Sequence, residues 1–544
     1  MTDVDPIFAR LTAPGEPFAL VERDGQRQFA NMPPDLNLLI ESARRHGDKT
    51  FIVEGDKRLT FNDVFRLRDA LVPLLGITQR GDRVAICMRN RAEWAIGFLA
   101  AIRAGGVPAL VNSRGAPAEL AAAVEDVTPV VVLADAERAS LLREGGYQGR
   151  IIETSDFPES GEAPPAPGMA NPDDPAAILF TSGTTGRVKG AILTHRSLMT
   201  GVMGMQLSGM MVLHGMAEKM GIAPETIMAN MPQGGVLVVF PLFHISGVGA
   251  AFLSPMLAGS KIVIMRRWEP QEALRIIAEE RITQFTGVPT MLWDVLHNAR
   301  MDEADLSSLR NISSGGQALP VNLLDEIRAA CPQAMMGTGY GMTETSGMVA
   351  MASGEDFIRN RASAGRVLPL VDMRIEGPDG EALPRGEAGE IVVRGALVMK
   401  GYWNRPEDTA AVLSADGWLR TGDVGYIDDE GYIFIVDRKK DMVISGGENI
   451  YCAEVERVLG EMPEIIECST FGIPDDRLGE LLVAVVVAKD VSEAQIIEHV
   501  AEHLARYKAP ARVAFSPTPL PRNAVGKIDK IFLRTNWPQF IGDA

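Results

Sequence analysis

One short loop constrains this chain more than any other stretch of its sequence. The apolar run 176–180 predicts a buried strand, and a loop made only of Thr, Ser and Gly follows it directly. Such a loop tolerates positive φ angles and turns backbone N–H groups and hydroxyls into one concavity. Lys189 adds a mobile positive charge, although Gly190 after it differs from the Ser or Thr of a Walker A loop. The stretch predicts a phosphate-binding loop formed by Thr181, Ser182, Gly183, Thr184, Thr185 and Gly186.

Composition limits the class of protein. A chain of 544 residues is too long for one core, so we expect more than one domain. The net charge of −18 argues against a nucleic-acid partner. The four cysteines lack metal-ligand spacing, the N-terminus lacks the features of a signal peptide, and the longest aliphatic run, 481–488, is too short to span a bilayer. We therefore expect a soluble cytoplasmic protein with no transmembrane segment.

The order of apolar segments predicts an α/β fold. Short strands alternate with helices in the first third of the chain, which is typical of a parallel sheet covered on both faces. After Asp372, short strands and Gly-rich turns indicate a small antiparallel layer, and beyond the charged segment 437–441 the pattern is that of a small α+β domain. The predicted early elements are strands at 83–88, 107–111 and 130–133, and helices at 93–103 and 117–124.

A second cluster, Gly339 to Glu344, carries the residue types of a nucleotide site. Its glycines flank Tyr340, whose ring could stack on a base, and Glu344 offers the hard oxygen ligand that Mg²⁺ takes when phosphates supply most of its other ligands. Farther along, Asp423 lies between glycines, an arrangement that suits acceptance of hydrogen bonds from ribose hydroxyls. With the phosphate loop, these residues describe an ATP site. No Ser-His-Asp or Cys-His pattern beside it indicates a protein nucleophile.

Two further stretches have open interpretations. Eight methionines lie within residues 203–231, which predicts either an adaptable core or lid segment, or thioethers lining a tunnel for an apolar substrate. His244 follows the predicted strand 236–240 at a Gly-bearing turn, and this edge of α/β sheets commonly binds ligands. The residues alone thus support a nucleotide-dependent reaction of an uncharged or apolar partner.

From about residue 50 to 530, the chain resembles the adenylate-forming superfamily of acyl-CoA synthetases, luciferases and carrier-protein-loading adenylation domains. The resemblance rests on the phosphate loop and on Tyr340-Gly341-Met342-Thr343-Glu344, which occur in the family's order. It implies that Lys189, Thr343, Glu344 and Lys527 are catalytic, with Glu344 as the Mg²⁺ ligand. It assigns nucleotide or CoA contacts to Gly315, Gly316, Gln317, Gly339, Tyr340, Gly341, Met342, Asp423, Arg438, Gly446 and Gly447. Gln317 departs from the family's usual Ala or Glu.

The resemblance also implies a domain division and a two-step reaction. A large N-terminal domain, 1–437, would hold the parallel α/β sheets and the antiparallel layer, a hinge would lie at 438–440 with Lys440 at its pivot, and a mobile α+β domain would follow at 441–544. The acid would first react with ATP to give acyl-AMP and pyrophosphate. CoA would then accept the acyl group, its thiol passing the glycines at 446–447.

The acid is the open part of this interpretation. The resemblance places the acyl pocket near His244, Ile245, Gly287 and Val288, which are mostly small or apolar and include no Arg or Lys for a second carboxylate. We expect a medium- or long-chain fatty acid, with an aryl or arylpropenoic acid as the alternative. Carrier-protein loading, nucleotide sensing by a pseudoenzyme and luciferase-like oxidation are rival functions, and the sequence leaves a homodimer open.

Overall fold

The computed structural model describes residues 6–181, 188–298, 301, 304–314, 321–439, 441–445, 448–475, 477–523 and 527–541. Its strands are β1 Leu20–Arg23, β2 Gln26–Phe29, β3 Thr50–Glu54, β4 Lys57–Thr60, β5 Arg83–Cys87, β6 Val107–Leu110, β7 Val131–Ala134, β8 Ile151–Glu153, β9 Pro175–Thr181, β10 Lys189–Thr194, β11 Gly235–Val238, β12 Lys261–Ile264, β13 Gln284–Gly287, β14 Asn311–Ser314, β15 Met335–Met342, β16 Gly347–Ser353, β17 Arg366–Val367, β18 Asp372–Glu376, β19 Gly389–Arg394, β20 Gly401–Tyr402, β21 Leu419–Ile427, β22 Ile433–Arg438, β23 Val443–Ser445, β24 Glu448–Ile450, β25 Ile465–Asp475, β26 Gly479–Ala488 and β27 Arg512–Phe515.

The helices cover the faces of the sheets. They are α1 Pro6–Leu11, α2 Leu36–Glu41, α3 Phe61–Leu71, α4 Ala92–Arg103, α5 Pro117–Asp126, α6 Ala136–Glu144, α7 His195–Met220, α8 Pro224–Asn230, α9 Ser254–Ala258, α10 Pro270–Glu279, α11 Pro289–Leu296, α12 Val321–Ala330, α13 Gly354–Arg359, α14 Pro406–Val412, α15 Cys452–Leu459, α16 Glu493–His503, α17 Lys530–Thr535 and α18 Trp537–Phe540. A π-helix, Ser246–Leu253, leads into α9.

Two large sheets form the N-terminal part. Within the described ranges, the first sheet has seven strands in the order β20-β10-β9-β6-β5-β7-β8, and the second has nine in the order β17-β16-β15-β14-β13-β11-β12-β3-β4. Their central strands are parallel, whereas β10, β16 and β4 pair antiparallel with their neighbours near the edges. The parallel centre, with helices packed on the sheets, confirms the predicted α/β class.

The apolar layers follow from strand alternation. The largest core lies between the two sheets and includes α3, α4 and the buried part of α7, with Trp94, Phe98 and Phe252 packed edge to face or stacked. The opposite face of the second sheet packs against α10, α11 and α12 through residues such as Phe285 and Ile312. The opposite face of the first sheet packs against α5 and α6.

Three smaller sheets complete the described part of the chain, and the first of them is the two-stranded antiparallel sheet β1-β2. The small antiparallel sheet, β18-β19-β21-β22, matches the layer predicted after Asp372. The C-terminal unit, from β23 onward, has antiparallel strands with β27 added in parallel to β26, and it has its own core around Val455 and Val486. Strand β22 ends at Arg438, one residue beyond the predicted end of the first domain. The division into domains and hinge remains a prediction.

The methionine-rich segment consists mainly of α7 and α8. Helix α7 has a capping box between Thr194 and Ser197 at its start, and Gly221 caps its end in a left-handed conformation that favours glycine. Met203, Met210 and Met211 pack against an N-terminal apolar cluster, and Met220 is exposed. The packing of these side chains supports the adaptable-core interpretation for this part of the segment.

Candidate active site

A cavity of about 1180 Å³ lies where the carboxyl ends of the second sheet's parallel strands meet the small sheet and the C-terminal unit. This is the edge at which α/β sheets bind ligands. The cavity brings together predicted residues from widely separated segments between positions 181 and 527: Thr181, Lys189, His244, Ile245, Gly339, Gly341, Met342, Thr343, Glu344, Asp423, Arg438 and Lys527.

The described ends of the phosphate loop are fixed by strand pairing. Thr181 in β9 lies opposite Lys189 in β10, and its Oγ1 donates to the Lys189 carbonyl at 3.4 Å. The Lys189 ammonium contacts Asp408 Oδ1 at 2.6 Å and lies 5.3 Å from the centre of the Tyr402 ring. Loop residues Ser182, Gly183, Thr184, Thr185 and Gly186 lie outside the described residues.

Glu344 is held at the cavity wall by a short turn. Thr343–Thr345 form a single 3₁₀ turn after β15. The Thr345 hydroxyl accepts a hydrogen bond from the Met342 backbone N–H before the turn and donates one to the Gly347 carbonyl after it. Tyr402 Oη donates to Glu344 Oε1 at 2.8 Å. Burial raises the pKa of Glu344, and the Tyr402 hydrogen bond opposes that rise. Burial and the Glu344 carboxylate together raise the pKa of Tyr402.

The surroundings of Glu344 suit a Mg²⁺ ion held mainly by phosphates. Its carboxylate provides a hard oxygen ligand, and a nearby cation would offset the cost of ionising a buried acid. Across the described residues, no group of three or more His, Cys, Asp or Glu side chains forms a ready-made metal site. An ion at Glu344 would take its other ligands from phosphate oxygens and water.

Asp423 and Arg438 are brought together by strand register. They lie opposite each other on β21 and β22, with Arg438 Nε 3.4 Å from Asp423 Oδ1. Tyr340 Oη donates to Asp423 Oδ2 at 2.7 Å, and burial, then the Asp423 charge, raises the pKa of Tyr340. Tyr340 is buried in the main core and does not line the cavity among the described residues. Its hydroxyl positions Asp423, whereas the sequence predicted that its ring would stack on a base.

Lys527 reaches the cavity from the C-terminal unit. It lines the cavity with Asn523, whose Oδ1 accepts from the Lys527 backbone N–H at 3.1 Å. Across the cavity, His244 Nδ1 accepts from the Ser246 backbone N–H at 3.3 Å. Burial and the positive charge of Lys527 lower the pKa of His244 to about 4. His244 is therefore neutral near pH 7, with Nε2 protonated and able to donate.

The apolar arm of the cavity lies between the second sheet and the helical layer over it. Ile245, Ala251 and Met205 contribute to its walls, so one thioether of the methionine-rich segment lines the cavity. Gly287 and Val288 do not line it among the described residues, in contrast to the prediction. Val288 packs in the layer beneath the sheet, because it caps α11, whose apolar residues lie in that layer.

Several predicted residues have no structural description. Gly315, Gly316, Gln317, Lys440, Gly446 and Gly447 lie outside the described residues. The sequence prediction missed the contact of Tyr402 with Glu344 and that of Asp408 with Lys189, because Tyr402 and Asp408 belong to none of the motifs. The only sequence signal for Tyr402 is its place between Gly401 and Trp403 in a short edge strand, which does not indicate a partner. In the part of the chain that the structure describes, no helix is long and apolar enough to cross a membrane.

Comparison with known proteins assigns the family. A family model described as AMP-binding enzyme matches residues 39–403, and the model of its C-terminal domain matches residues 454–527. The chain belongs to the AMP-binding enzyme family. This membership, together with relatives that are named as CoA ligases or synthases, confirms the resemblance to adenylate-forming enzymes and the predicted class of AMP-forming acid–thiol ligase.

The relatives of this AMP-binding enzyme are named for different acids. It is 32% identical to the long-chain-fatty-acid–CoA ligase FadD13 of Mycobacterium tuberculosis, over 94% of this chain and 97% of the relative. It is 35% identical to a feruloyl-CoA synthase of Amycolatopsis, over 90% of this chain and 96% of that relative. Among solved structures, an o-succinylbenzoate CoA synthetase of Bacillus subtilis in complex with ATP and magnesium ion has a TM-score of 0.76 at 30% identity, over 93% of this chain and 99% of that one.

Proposed function

We propose that this enzyme activates a carboxylic acid with ATP and transfers the acyl group to CoA. One observation carries the proposal: a single cavity joins Lys189 and Glu344, the Asp423–Arg438 pair, Lys527 and an apolar arm. This arrangement supplies a nucleotide-binding end and an acyl-binding end with cationic groups between them.

In the first step, a carboxylate oxygen of the acid attacks the α-phosphorus of ATP, and the bond to pyrophosphate breaks. Asp423 accepts hydrogen bonds from the ribose hydroxyls, held in place by the Tyr340 hydroxyl. Lys189 and Lys527 stabilise negative charge on the transferring and leaving groups. Glu344 would hold Mg²⁺, which would supply further neutralisation of the phosphate charge. Neutral His244 donates through Nε2 toward the acid, and does so without adding a second positive charge beside Lys527.

In the second step, the CoA thiol sulfur attacks the acyl carbonyl carbon. The carbon–oxygen bond to AMP breaks, the thiol proton leaves to solvent, and the products are the thioester and AMP. The glycines at 446–447 form the thiol's route, as the sequence predicts. The C-terminal unit must then exchange Lys527 for those glycines, because both belong to the same small unit.

The apolar arm supports a medium- or long-chain fatty acid, and the alternative of an arylpropenoic acid is supported by the similarity to a feruloyl-CoA synthase. Carrier-protein loading is the second alternative. The cytoplasmic location and a homodimer remain predictions.

The test uses the purified chain with ATP, Mg²⁺ and a panel of saturated fatty acids, ferulic acid and a no-acid control. Pyrophosphate release, AMP and thioester are measured with and without CoA. The proposal expects acid-dependent pyrophosphate release, and AMP turnover with thioester formation only when CoA is present. Acid-dependent pyrophosphate release without thioester formation when CoA is present would favour carrier-protein loading. The absence of acid-dependent pyrophosphate release would refute the proposal.

A further inference from the structure

The inner part of the apolar arm carries a polar patch. Strands β13 and β14 alternate, so that Phe285 and Ile312 pack beneath the sheet while Gln284, Thr286, Asn311 and Ser313 face the cavity. The register places Gln284 beside Asn311 and Thr286 beside Ser313, all four at the cavity wall. This wall is the sheet face on which neighbouring β11 contributes Val236 and Val238 to the main core.

The patch has unused hydrogen-bonding capacity. Asn311 Oδ1 accepts from Ser313 Oγ at 2.7 Å, which leaves both N–H donors of the Asn311 amide directed elsewhere. Among the described residues, neither these donors nor the Gln284 amide has a hydrogen-bond partner. In an empty cavity water would satisfy them. A purely apolar acyl chain would displace that water and leave buried amides unpaired, which is costly.

The position and charge of the patch define its ligand. Gln284 lies three residues before Gly287, the last residue of β13, so the patch lies about 10 Å from the carboxyl end of that strand, at about 3.3 Å per residue. The charged side chains that line the described cavity, such as Lys189, Glu344 and Asp423, belong to the phosphate-loop strand, the turn after β15, the small sheet and the C-terminal unit. The inner patch is neutral, and it would not balance the charge of a second carboxylate.

We propose that the acid activated by this enzyme carries an uncharged oxygen, a ketone or a hydroxyl, at its far end, and that Gln284 and Asn311 bind that oxygen. The amide N–H groups donate to it, while the apolar walls enclose the carbon body between it and the reacting carboxylate. This inference rests on the proposed function and narrows its substrate class. It assigns Gln284 and Asn311 as specificity-determining residues.

The experiment compares three acids of equal chain length: decanoic acid, its ω-hydroxy derivative and its methyl-ketone analogue. Pyrophosphate release gives kcat/KM for each, and calorimetry with the matching acyl-sulfamate analogues of the adenylate measures binding without turnover. The wild type should prefer one or both oxygenated acids by at least about tenfold, the effect of roughly one unmade hydrogen bond. Preference for the hydroxyl or for the ketone then identifies the oxygen type.

Gln284→Leu and Asn311→Leu test the assigned residues, with Gln148→Leu on the exposed surface as the matched control. Each patch variant should lose most of the preference by improving decanoate and weakening the oxygenated acid, in both turnover and analogue binding, while the control keeps it. Equal or better use of decanoate by the wild type would overturn the inference and leave the ligase proposal intact. A preference that survives both patch substitutions would also overturn it. Failure of all three acids together with the whole panel would refute the ligase proposal itself.

Discussion

At the scale of residues, two carboxylates that line the cavity, Glu344 and Asp423, are each held by a tyrosine. Tyr402 donates to Glu344, and Tyr340 donates to Asp423, at 2.8 and 2.7 Å. Both tyrosines are largely enclosed, and burial raises the pKa of each. A neutral hydroxyl that donates to a buried carboxylate stabilises its ionised form and fixes its orientation.

Replacing Glu344 with Gln tests the metal role directly. The substitution keeps the shape and removes the charge, so adenylation should fall by roughly 100-fold or more, the scale of losing one electrostatic stabiliser. Tyr402→Phe is the matched control, because it keeps the Glu344 charge and removes only its hydrogen bond; its loss should be smaller. The measurement is pyrophosphate release against Mg²⁺ concentration. Unchanged turnover of Glu344→Gln at saturating Mg²⁺ would refute the assignment.

The pKa of His244 reports its distance from Lys527. Burial and the positive charge of Lys527 lower the pKa of His244 from the ordinary 6.5 to about 4. Lys527→Ala should therefore raise the pKa of His244. Because the folded-state pKa is the lower one, the stability that His244 contributes is present above pH 6.5 and is lost as the pH falls toward 4. NMR titration, with the signal assigned by its absence in His244→Ala, measures the shift. An unaltered His244 titration in Lys527→Ala would contradict the proximity.

At the scale of elements, the strands of the large sheets were predictable, but their inward-facing residues were not. Apolar runs bounded by Gly and Pro located β5, β6 and β9 to within two residues. The family resemblance placed Gly287 and Val288 at the acyl pocket, yet the residues of β13 that line the cavity are Gln284 and Thr286. A short strand of alternating polar and apolar residues has two faces, and only tertiary packing decides which face borders a cavity.

The turn that presents Glu344 depends on Gly341. At this position β15 and β16 shift register, and a Cβ on residue 341 would overlap the backbone carbonyl of Gly347. Gly341→Ala should therefore destabilise the fold by about 1–3 kcal/mol and reduce adenylation, because backbone must move. Chemical denaturation measures the first effect and pyrophosphate release the second.

Gly204→Ala provides the control for that substitution. Gly204 lies within α7, and the nearest atom to an added Cβ is Leu370 Cδ1 at 4.0 Å. Alanine there should stabilise the protein by about 0.5–1 kcal/mol through helix propensity. If Gly341→Ala were as stable and active as the wild type, the tight packing at the register shift would not support the position of Glu344.

At the scale of the whole molecule, the sequence predicted the class and order of the parts better than their contacts. The large α/β sheets, the antiparallel layer and the C-terminal unit each have a local signature in periodicity and turn residues. The approach of Lys527 to His244 has none, because it depends on how the C-terminal unit docks against the cavity. The ion pair of Lys189 with Asp408 is of the same kind, since it joins residues far apart in sequence.

The central claim is that one small unit serves two half-reactions in turn, and Lys527 provides its most direct test. In the structure Lys527 borders the cavity that would hold ATP. Under the proposed function we expect it to stabilise charge during adenylation and to have no role once acyl-AMP exists. Gly447 is predicted from sequence to serve the thiol, and Gly447→Leu is the complementary variant.

Single-turnover kinetics of each half-reaction should separate the two roles. Lys527→Ala should slow adenylation on the order of 10²–10³-fold, yet convert supplied acyl-AMP and CoA to thioester at near the wild-type rate. Gly447→Leu should show the opposite pattern. Equal loss of both half-reactions in each variant would contradict the claim.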